Sequence, residues 1–299
     1  MYDVIIIGSG IAGMTAAIYT TRRELKTLIL TTDIGGQMSK NPEIGNWPGE
    51  ELINGTELST KMKSQVEKLG AEVKYEMASK IEKKDKIFQV TTMASVHQAK
   101  TVILAFGKVP RRLNIPGEQE LVGRGVSYCV TCDGPFFKGK TVIITGGGNS
   151  ALDAANLMSK IASKVYLVHR GDKFRGDEYL INKVHEDNNV EIIMNANLVK
   201  INGEKKVESA ELDNGKTISS DAVFIEIGYI VNDNLINGLV DLDEKGQVIT
   251  NASQMTSVPG LFAAGDLTDA LYQQLVIAAG EGACAGLSAY HYIESKAQD

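Results

Sequence analysis

Two stretches of the chain are apolar runs without the alternation of a half-buried strand, D-V-I-I-I at 3–7 and T-V-I-I-T at 141–145. Such runs are typical of strands buried on both faces of a parallel sheet. A glycine cluster and an alanine-rich stretch follow each run, which predicts a tight turn and a helix packed closely on the sheet. The unit therefore occurs twice, with a constant offset of 138 residues from Gly8 to Gly146.

The same periodicities predict the remaining elements. Helices are predicted at 59–69, around 179–185 and near 278–286. Strands are predicted at 72–75, 88–92, 101–105, 164–168, 190–194, 222–227 and 260–265. The polar stretches 108–118 and 241–246 are predicted linkers. The pattern indicates an α/β fold with two Rossmann-like dinucleotide-binding lobes.

The first glycine cluster, Gly8, Gly10 and Gly13, has the spacing of a dinucleotide fingerprint. Its glycines permit the tight turn, the approach of a pyrophosphate and close packing of helix on strand. Asp33 follows about 20 positions later, where a carboxylate or the neighbouring Thr31 can bind ribose hydroxyls. The alternative for Asp33 is that it caps a turn.

The second cluster differs at the ribose position. Gly171 stands where the first copy has Asp33, and His169, Arg170 and Arg175 surround it. Cations there suit a 2′-phosphate, which favours NADP(H) over NAD(H). A solvated basic loop is the alternative.

Composition narrows the classes of partner. The 299 residues have a formal net charge of −6, which argues against nucleic acid as a partner. Their number suggests about two domains. No targeting segment is recognisable, and no apolar stretch approaches the roughly 18 residues of a membrane span. We expect a cytoplasmic protein with no membrane partner.

Two of the three cysteines, Cys129 and Cys132, form a C-x-x-C motif. Structural zinc needs four ligands, and neither a second pair nor suitably spaced histidines is present, so we expect no metal. In a redox dithiol, one thiolate attacks a disulfide and the other resolves the mixed disulfide. Asp133 can shuttle the proton, or it forms the turn of the D-G pair. We expect Cys284 to be a buried small residue.

Motifs along nearly the whole chain resemble those of the low-molecular-weight thioredoxin reductases, a class of FAD-dependent pyridine nucleotide-disulfide oxidoreductases. They are G-S-G-I-A-G at 8–13, G-G-Q at 35–37, N-W-P-G at 46–49, C-V-T-C-D-G at 129–134, G-G-G-N-S-A at 146–151 and T-S-V-P-G-L-F-A-A-G-D at 256–266. The resemblance implies an FAD domain at 1–112 and 244–299, with an NAD(P)H domain at 113–243 inserted into it. It also implies thioredoxin as the partner and a homodimer.

The resemblance assigns roles to individual residues. Cys132 is the thiol next to the flavin, Cys129 attacks thioredoxin, and Asp133 donates the proton. The residues expected at FAD are Gly8, Ser9, Gly10, Ala12, Gly13, Thr31, Asp33, Gly35, Gly36, Gln37, Asn46, Ala105, Gly107, Gly265, Asp266, Gln274 and Leu275. Those expected at NADP(H) are Gly146, Gly148, Asn149, Ser150, His169, Arg170 and Arg175.

The chain departs from the family pattern at three places. Gly171 replaces the middle arginine of the family's H-R-R-x-x-x-R motif. Phe106 replaces the threonine of the usual A-T-G, and Gln273 replaces the arginine of the usual R-Q-A. Loss of one charge-assisted hydrogen bond weakens binding by about 10- to 100-fold. One alternative is therefore a donor other than NADPH, such as NADH or ferredoxin. Another is that the acceptor is a thioredoxin-like protein other than thioredoxin.

Three other functions compete. The reductase of a peroxiredoxin system carries an N-terminal dithiol extension, for which a fingerprint starting at residue 8 leaves no room. A ferredoxin–NADP reductase of similar architecture lacks a redox C-x-x-C. An intact C-V-T-C-D-G argues against a redox sensor without turnover.

Overall fold

The protein is described by a computed structural model that covers residues 1–41 and 44–297. The chain divides into two compact units, Met1–Val109 with Val231–Asp299, and Pro110–Ile230. The strands are β1 (Tyr2–Ile7), β2 (Thr27–Leu30), β3 (Glu72–Lys74), β4 (Ala78–Lys84), β5 (Ile87–Thr92), β6 (Val96–Leu104), β7 (Val109–Pro110), β8 (Val126–Ser127), β9 (Thr141–Thr145), β10 (Lys164–Val168), β11 (Val190–Ile193), β12 (Leu198–Asn202), β13 (Ser209–Leu212), β14 (Thr217–Ser219), β15 (Ala222–Ile225), β16 (Tyr229–Ile230) and β17 (Leu261–Ala263). The helices are α1 (Ile11–Thr21), α2 (Gly55–Lys68), α3 (Val130–Asp133), α4 (Asn149–Ser159), α5 (Glu178–Glu186) and α6 (Leu275–Ala297), with 3₁₀ turns at Met38–Lys40, Gly134–Phe137 and Asp233–Leu235.

The first unit is built on a seven-stranded sheet of order β3-β2-β1-β6-β5-β4, with β17 paired to β6. The strands β3, β2, β1, β6 and β17 are parallel, whereas β4, β5 and the start of β6 are antiparallel. Val4 and Ile6 of β1 face one core, and Ile5 and Ile7 face another. The apolar run is therefore buried on both faces, as its lack of alternation predicted.

Small residues bring two helices of this unit together. A side-chain carbon added at Gly282 or Gly286 of α6 would meet the carbonyl oxygens of Ala12 or Ala16 in α1. The glycines therefore allow close packing of the long C-terminal helix on the helix that follows the first fingerprint.

The second unit contains a parallel sheet of order β11-β10-β9-β15-β8 and a separate three-stranded antiparallel sheet of order β12-β13-β14. Val142 and Ile144 of β9 pack with α4, and Ile143 faces the core shared with the three-stranded sheet. The sequence did not predict that smaller sheet, because its strands are only three to five residues long and half of their residues are polar.

The chain passes between the units at other positions than 113 and 243. Residues 231–243 lie in the first unit because Val231, Ile236 and Val240 are buried in the core that also contains Ile5 and Leu28. The acidic turn at 241–246 is thus not the point at which the chain changes units. The short strands β7 and β16, at the two changeovers, pair with each other.

Within the described residues, no helix is long and apolar enough to cross a membrane.

Candidate active site

The first glycine turn lies between β1 and α1. Gly8 has a φ of +106°, and a side-chain carbon there would overlap the carbonyl of Ala105 at the end of β6. A carbon at Gly13 would likewise overlap the carbonyl of Gly8. Gly10 precedes α1 without capping it through a side chain, and the space beside its α-carbon is open to 4 Å. The first N–H groups of α1 are thus left to a ligand, and the cradle fits a pyrophosphate.

Polar side chains lie beside this turn, where the sequence predicts a ribose. The hydroxyls of Ser9 and Thr31 are 2.9 Å apart, and the Thr31 hydroxyl donates to the carbonyl of Asp33 at 2.6 Å. The Asp33 carboxylate lies at the surface and accepts the N–H of Gly36 at 3.2 Å, so it also caps the following turn. Gly35 is tied to the same site by its N–H bond to the Ser9 carbonyl at 3.0 Å.

Other residues expected at FAD lie in the same unit. The Asn46 amide donates to Gln274 Oε1 at 3.1 Å, just before Leu275 begins α6, and Gln37 donates to the Lys108 carbonyl at 3.3 Å. Gly107, with a φ of +66°, follows β6.

The residues after β17 form a partly buried polar cluster that the sequence did not predict as a whole. Glu281 of α6 accepts the N–H of Gly265 at 2.7 Å and the Thr268 hydroxyl at 3.1 Å, and burial raises the Glu281 pKa. Burial also raises the pKa of Asp266, against the opposing charge of Lys108. Glu281 could have been suspected as the one acid among the small residues 278–286.

Lys108 faces this cluster from the other side. Its ammonium donates to Gln247 Oε1 at 3.0 Å, and burial lowers its pKa, opposed by the charge of Asp266. A partly buried cation near Asp266, a residue expected at FAD, fits a group that carries phosphate and gains negative charge on reduction. The donor set of this unit therefore fits FAD.

The second glycine turn lies between β9 and α4. Gly146 has a φ of +150°, and a side-chain carbon there would overlap the carbonyl of Glu226. Gly148, like Gly10, precedes its helix with open space beside it. Asn149 is hydrogen-bonded to Asp177 through both amide atoms, at 2.7 and 3.0 Å, and Ser150 is exposed. The turn fits a second dinucleotide.

The basic loop is anchored to this turn. The His169 ring is buried, fills the space beside Gly147, stacks on Phe174 at 5.5 Å between centroids, and lies 3.0 Å from the Lys173 carbonyl through Nε2. These contacts give His169 a structural task in the loop, while its role towards a phosphate stays a prediction. A side-chain carbon at Gly171 would lie 2.9 Å from the same Nε2.

Two arginines of this loop remain available for an anion. Arg175 is positioned by its backbone N–H, which donates to the Gly147 carbonyl at 2.7 Å. The side chains of Arg170 and Arg175 are exposed, and neither belongs to an ion pair formed among the described residues.

Cys129 and Cys132 form a disulfide, with their α-carbons 5.4 Å apart, on the short helix α3. Cys129 caps this helix, and its sulfur accepts the N–H of Cys132 at 3.2 Å. After reduction the same N–H and the helix start would stabilise a thiolate on Cys129. This polarity agrees with an attacking role for Cys129.

Ser127 is hydrogen-bonded to both ends of residues 129–133, which we call the dithiol turn. Its hydroxyl donates to Asp133 Oδ2 at 2.6 Å, and its oxygen accepts the N–H of Cys129 at 3.0 Å. The sequence did not single out Ser127, which no motif spacing distinguishes from other serines.

The remaining cysteine, Cys284, is only half-buried, with its thiol 3.4 Å from the Ala252 carbonyl, so the expectation of full burial was wrong.

Among residues 1–41 and 44–297, no three His, Cys, Asp or Glu side chains are grouped as a metal site.

A dithiol in one unit with a dinucleotide turn, together with a second dinucleotide turn in another unit, defines a dinucleotide-dependent disulfide oxidoreductase. The family model described as pyridine nucleotide-disulphide oxidoreductase matches residues 2–282, and the chain belongs to this family.

The chain is 40% identical over 301 residues to a thioredoxin reductase of Listeria monocytogenes serovar 1/2a, covering 98% of this chain and 94% of the relative. The solved thioredoxin reductase of Lactococcus lactis is 37% identical with a TM-score of 0.87, over 99% of this chain and 100% of that one. A ferredoxin-flavin thioredoxin reductase from Clostridium acetobutylicum is 31% identical with a TM-score of 0.57, over 100% and 99%. The resemblance and the α/β fold predicted from the motifs are confirmed.

Proposed function

We propose that this chain is an FAD-dependent thioredoxin-disulfide reductase that passes electrons from NADPH through FAD and the Cys129–Cys132 dithiol to thioredoxin. The observation that carries the proposal is the disulfide itself, capped on a helix start in the unit that also contains the second dinucleotide turn. Similarity to thioredoxin reductases over almost the full chain supports the choice of substrate.

Each unit receives one nucleotide in this proposal. The unit formed by Met1–Val109 and Val231–Asp299 binds FAD, with the pyrophosphate at Gly10 and the ribose near Asp33. The unit Pro110–Ile230 binds NADPH, with its pyrophosphate at Gly148 and its 2′-phosphate at Arg170 and Arg175. The open cradles and the exposed guanidiniums support this assignment.

The dithiol turn contributes three steps. When bound, FAD supplies the electron pair that breaks the Cys129–Cys132 bond. The Cys129 thiolate, stabilised by the N–H of Cys132, then attacks the thioredoxin disulfide, and Cys132 resolves the mixed disulfide. Asp133, oriented by Ser127, transfers the proton to the leaving thiolate.

An exposed aromatic side chain offers a contact for the protein substrate. Phe136 follows the dithiol turn in a 3₁₀ turn, and its side chain is 80% exposed. We assign it to the surface that receives thioredoxin. A homodimer and a cytoplasmic location, where thiols stay reduced, complete the proposal.

A second candidate keeps the acceptor and changes the donor. Gly171 removes one cation from the 2′-phosphate site, and the ferredoxin-flavin thioredoxin reductase similar to this chain takes its name from another donor. Reduced ferredoxin is therefore the alternative source of electrons.

An anaerobic titration distinguishes the donors. The FAD-loaded protein is mixed with NADPH, NADH or reduced ferredoxin, and flavin bleaching is followed by absorbance. Bleaching by micromolar NADPH supports the proposal. Bleaching by ferredoxin alone would support the second candidate, and absence of bleaching by both NADPH and ferredoxin would reject both.

A further inference from the structure

Glu226 directly follows β15, which lies between β9 and β8 in the parallel sheet of the second unit. β15 pairs in parallel with β8, with Phe224 opposite Ser127, so two residues further the strands arrive at Glu226 and Cys129. On the other side, the N–H of Glu226 donates to the Thr145 carbonyl at 2.8 Å and continues the pairing of β15 with β9. Glu226 thus stands at the carboxyl end of the sheet, where the dithiol and the glycine turn both begin.

The side chain of Glu226 faces the dithiol turn, whereas its backbone carbonyl faces the glycine turn. Its carboxyl lies close enough to the backbone N–H of Val130, inside the C-x-x-C turn, for this N–H to favour the ionised carboxylate and lower its pKa. Its carbonyl lies against Gly146, where no side-chain carbon would fit. The contacts fix Glu226 beside the dithiol without involving it in any step described above.

The ionisation of this carboxyl falls in the physiological range. Burial raises the pKa of Glu226 to about 7, and the Val130 N–H opposes the shift. The other titratable group facing it is Tyr229, whose pKa is raised by burial and, in addition, by the charge of Glu226. Among the described residues, no cation contributes to holding Glu226 ionised.

We propose that Glu226 is a positioning residue that sets the reduction potential of the Cys129–Cys132 dithiol by presenting a titratable carboxyl to the turn where the thiolate forms. The proposal rests on the proposed redox function of the dithiol. It acts through the backbone of α3 and requires no direct transfer from Glu226 to sulfur.

The electron and proton balance explains the expected effect. Reduction adds two electrons, breaks the sulfur–sulfur bond and, with one proton from solvent, yields one thiol and one thiolate. When Glu226 is protonated, the thiolate forms beside a neutral acid. When Glu226 is ionised, the thiolate forms beside a second anion, and a further proton is taken up by the pair. Two like charges at the same turn therefore make reduction harder above the pKa of Glu226.

The test measures the dithiol alone. FAD-loaded wild type, Glu226→Gln and the control Glu191→Gln, which replaces a surface carboxylate of β11, are equilibrated with dithiothreitol redox mixtures at pH 6 and 8.5. Thiols at 129 and 132 are then counted by alkylation and mass spectrometry. For Glu226→Gln we expect an equilibrium constant for reduction about tenfold higher at pH 8.5, or about 30 mV less negative, and no change at pH 6.

The alternatives are separable. Equal potentials of Glu226→Gln and wild type at pH 8.5, or the same shift at both pH values, would overturn the proposal. Glu226→Asp keeps a carboxyl and should retain the wild-type pH dependence. This variant keeps the proposal testable if the glutamine variant does not fold. Because dithiothreitol replaces NADPH and thioredoxin, failure of the proposed function would leave this measurement interpretable.

Discussion

The hydroxyl of Ser127 donates a 2.6 Å hydrogen bond to the carboxylate of Asp133 across the turn that carries both redox cysteines. The same hydroxyl oxygen accepts the N–H of Cys129 at 3.0 Å. One side chain therefore fixes the backbone of Cys129, the proposed attacking cysteine, and the orientation of Asp133, the proposed proton donor.

Replacing Ser127 by alanine should slow thioredoxin reduction about 10- to 100-fold, because a hydrogen bond to a charged group contributes roughly 1.5–3 kcal/mol. The pH profile of kcat should change with it, while the flavin spectrum stays that of the wild type. Ser163→Ala, an exposed serine of the same unit, serves as the control. An unchanged kcat and pH profile would remove Ser127 from the account.

Gly10→Ala should weaken FAD binding by about tenfold or more without lowering the Tm of the apoprotein. Gly10 has a φ of −67°, and the space beside it is open, so alanine fits the protein and obstructs only the pyrophosphate. Equilibrium dialysis of FAD and thermal denaturation of the apoprotein give the two values.

The matched control is Gly148→Ala, which has an equally open position and a φ of −103° in the other unit. It should retain FAD and weaken NADPH. Equal FAD affinity of Gly10→Ala and wild type would show that the pyrophosphate lies elsewhere.

Arg175→Ala should raise the Kd for NADPH about 10- to 100-fold and leave the Kd for NADH nearly unchanged, because only NADPH carries the 2′-phosphate. Arg124→Ala, an exposed arginine whose guanidinium bonds the Glu120 carbonyl, is the control in the same unit. A parallel loss for both nucleotides would indicate that Arg175 shapes the loop instead of contacting the phosphate.

Glu226→Gln should stabilise the oxidised protein increasingly as the pH rises from 5 to 8.5. The folded pKa of about 7 exceeds the ordinary glutamate pKa of 4.5, so between these pH values the folded protein keeps a proton that the unfolded chain has lost. Stability from this group is fully present below 4.5 and is lost as the pH rises towards 7. Removing the carboxyl should therefore recover up to about 3 kcal/mol at pH 8.5, measured by urea denaturation. A pH-independent difference would contradict the assigned pKa.

Local pattern predicted the parts of the fold that depend on neighbouring residues. The run at 3–7 is a strand buried on both faces because Val4 and Ile5 contribute to different cores. The early return at residue 231 was not predictable in this way, because Val231 and Ile236 join a core assembled from distant strands.

The candidate site likewise contains features formed by neighbouring residues and features formed by residues distant in sequence. Each glycine turn, and likewise the dithiol, is contiguous in sequence, so residue spacing was sufficient to propose it as part of a site. Lys108 with Asp266, and Glu226 with the dithiol turn, meet only through the parallel pairing of strands, and neither pair has a spacing that marks it.

The most direct test of electron flow through the dithiol is the steady-state reduction of thioredoxin disulfide by FAD-loaded wild type and Cys132→Ser, with NADPH or, if the titration selects it, reduced ferredoxin. The account predicts turnover by wild type and none by Cys132→Ser, although the variant still binds FAD and its flavin is still bleached by the donor. Thioredoxin reduction by Cys132→Ser at the wild-type rate would contradict it.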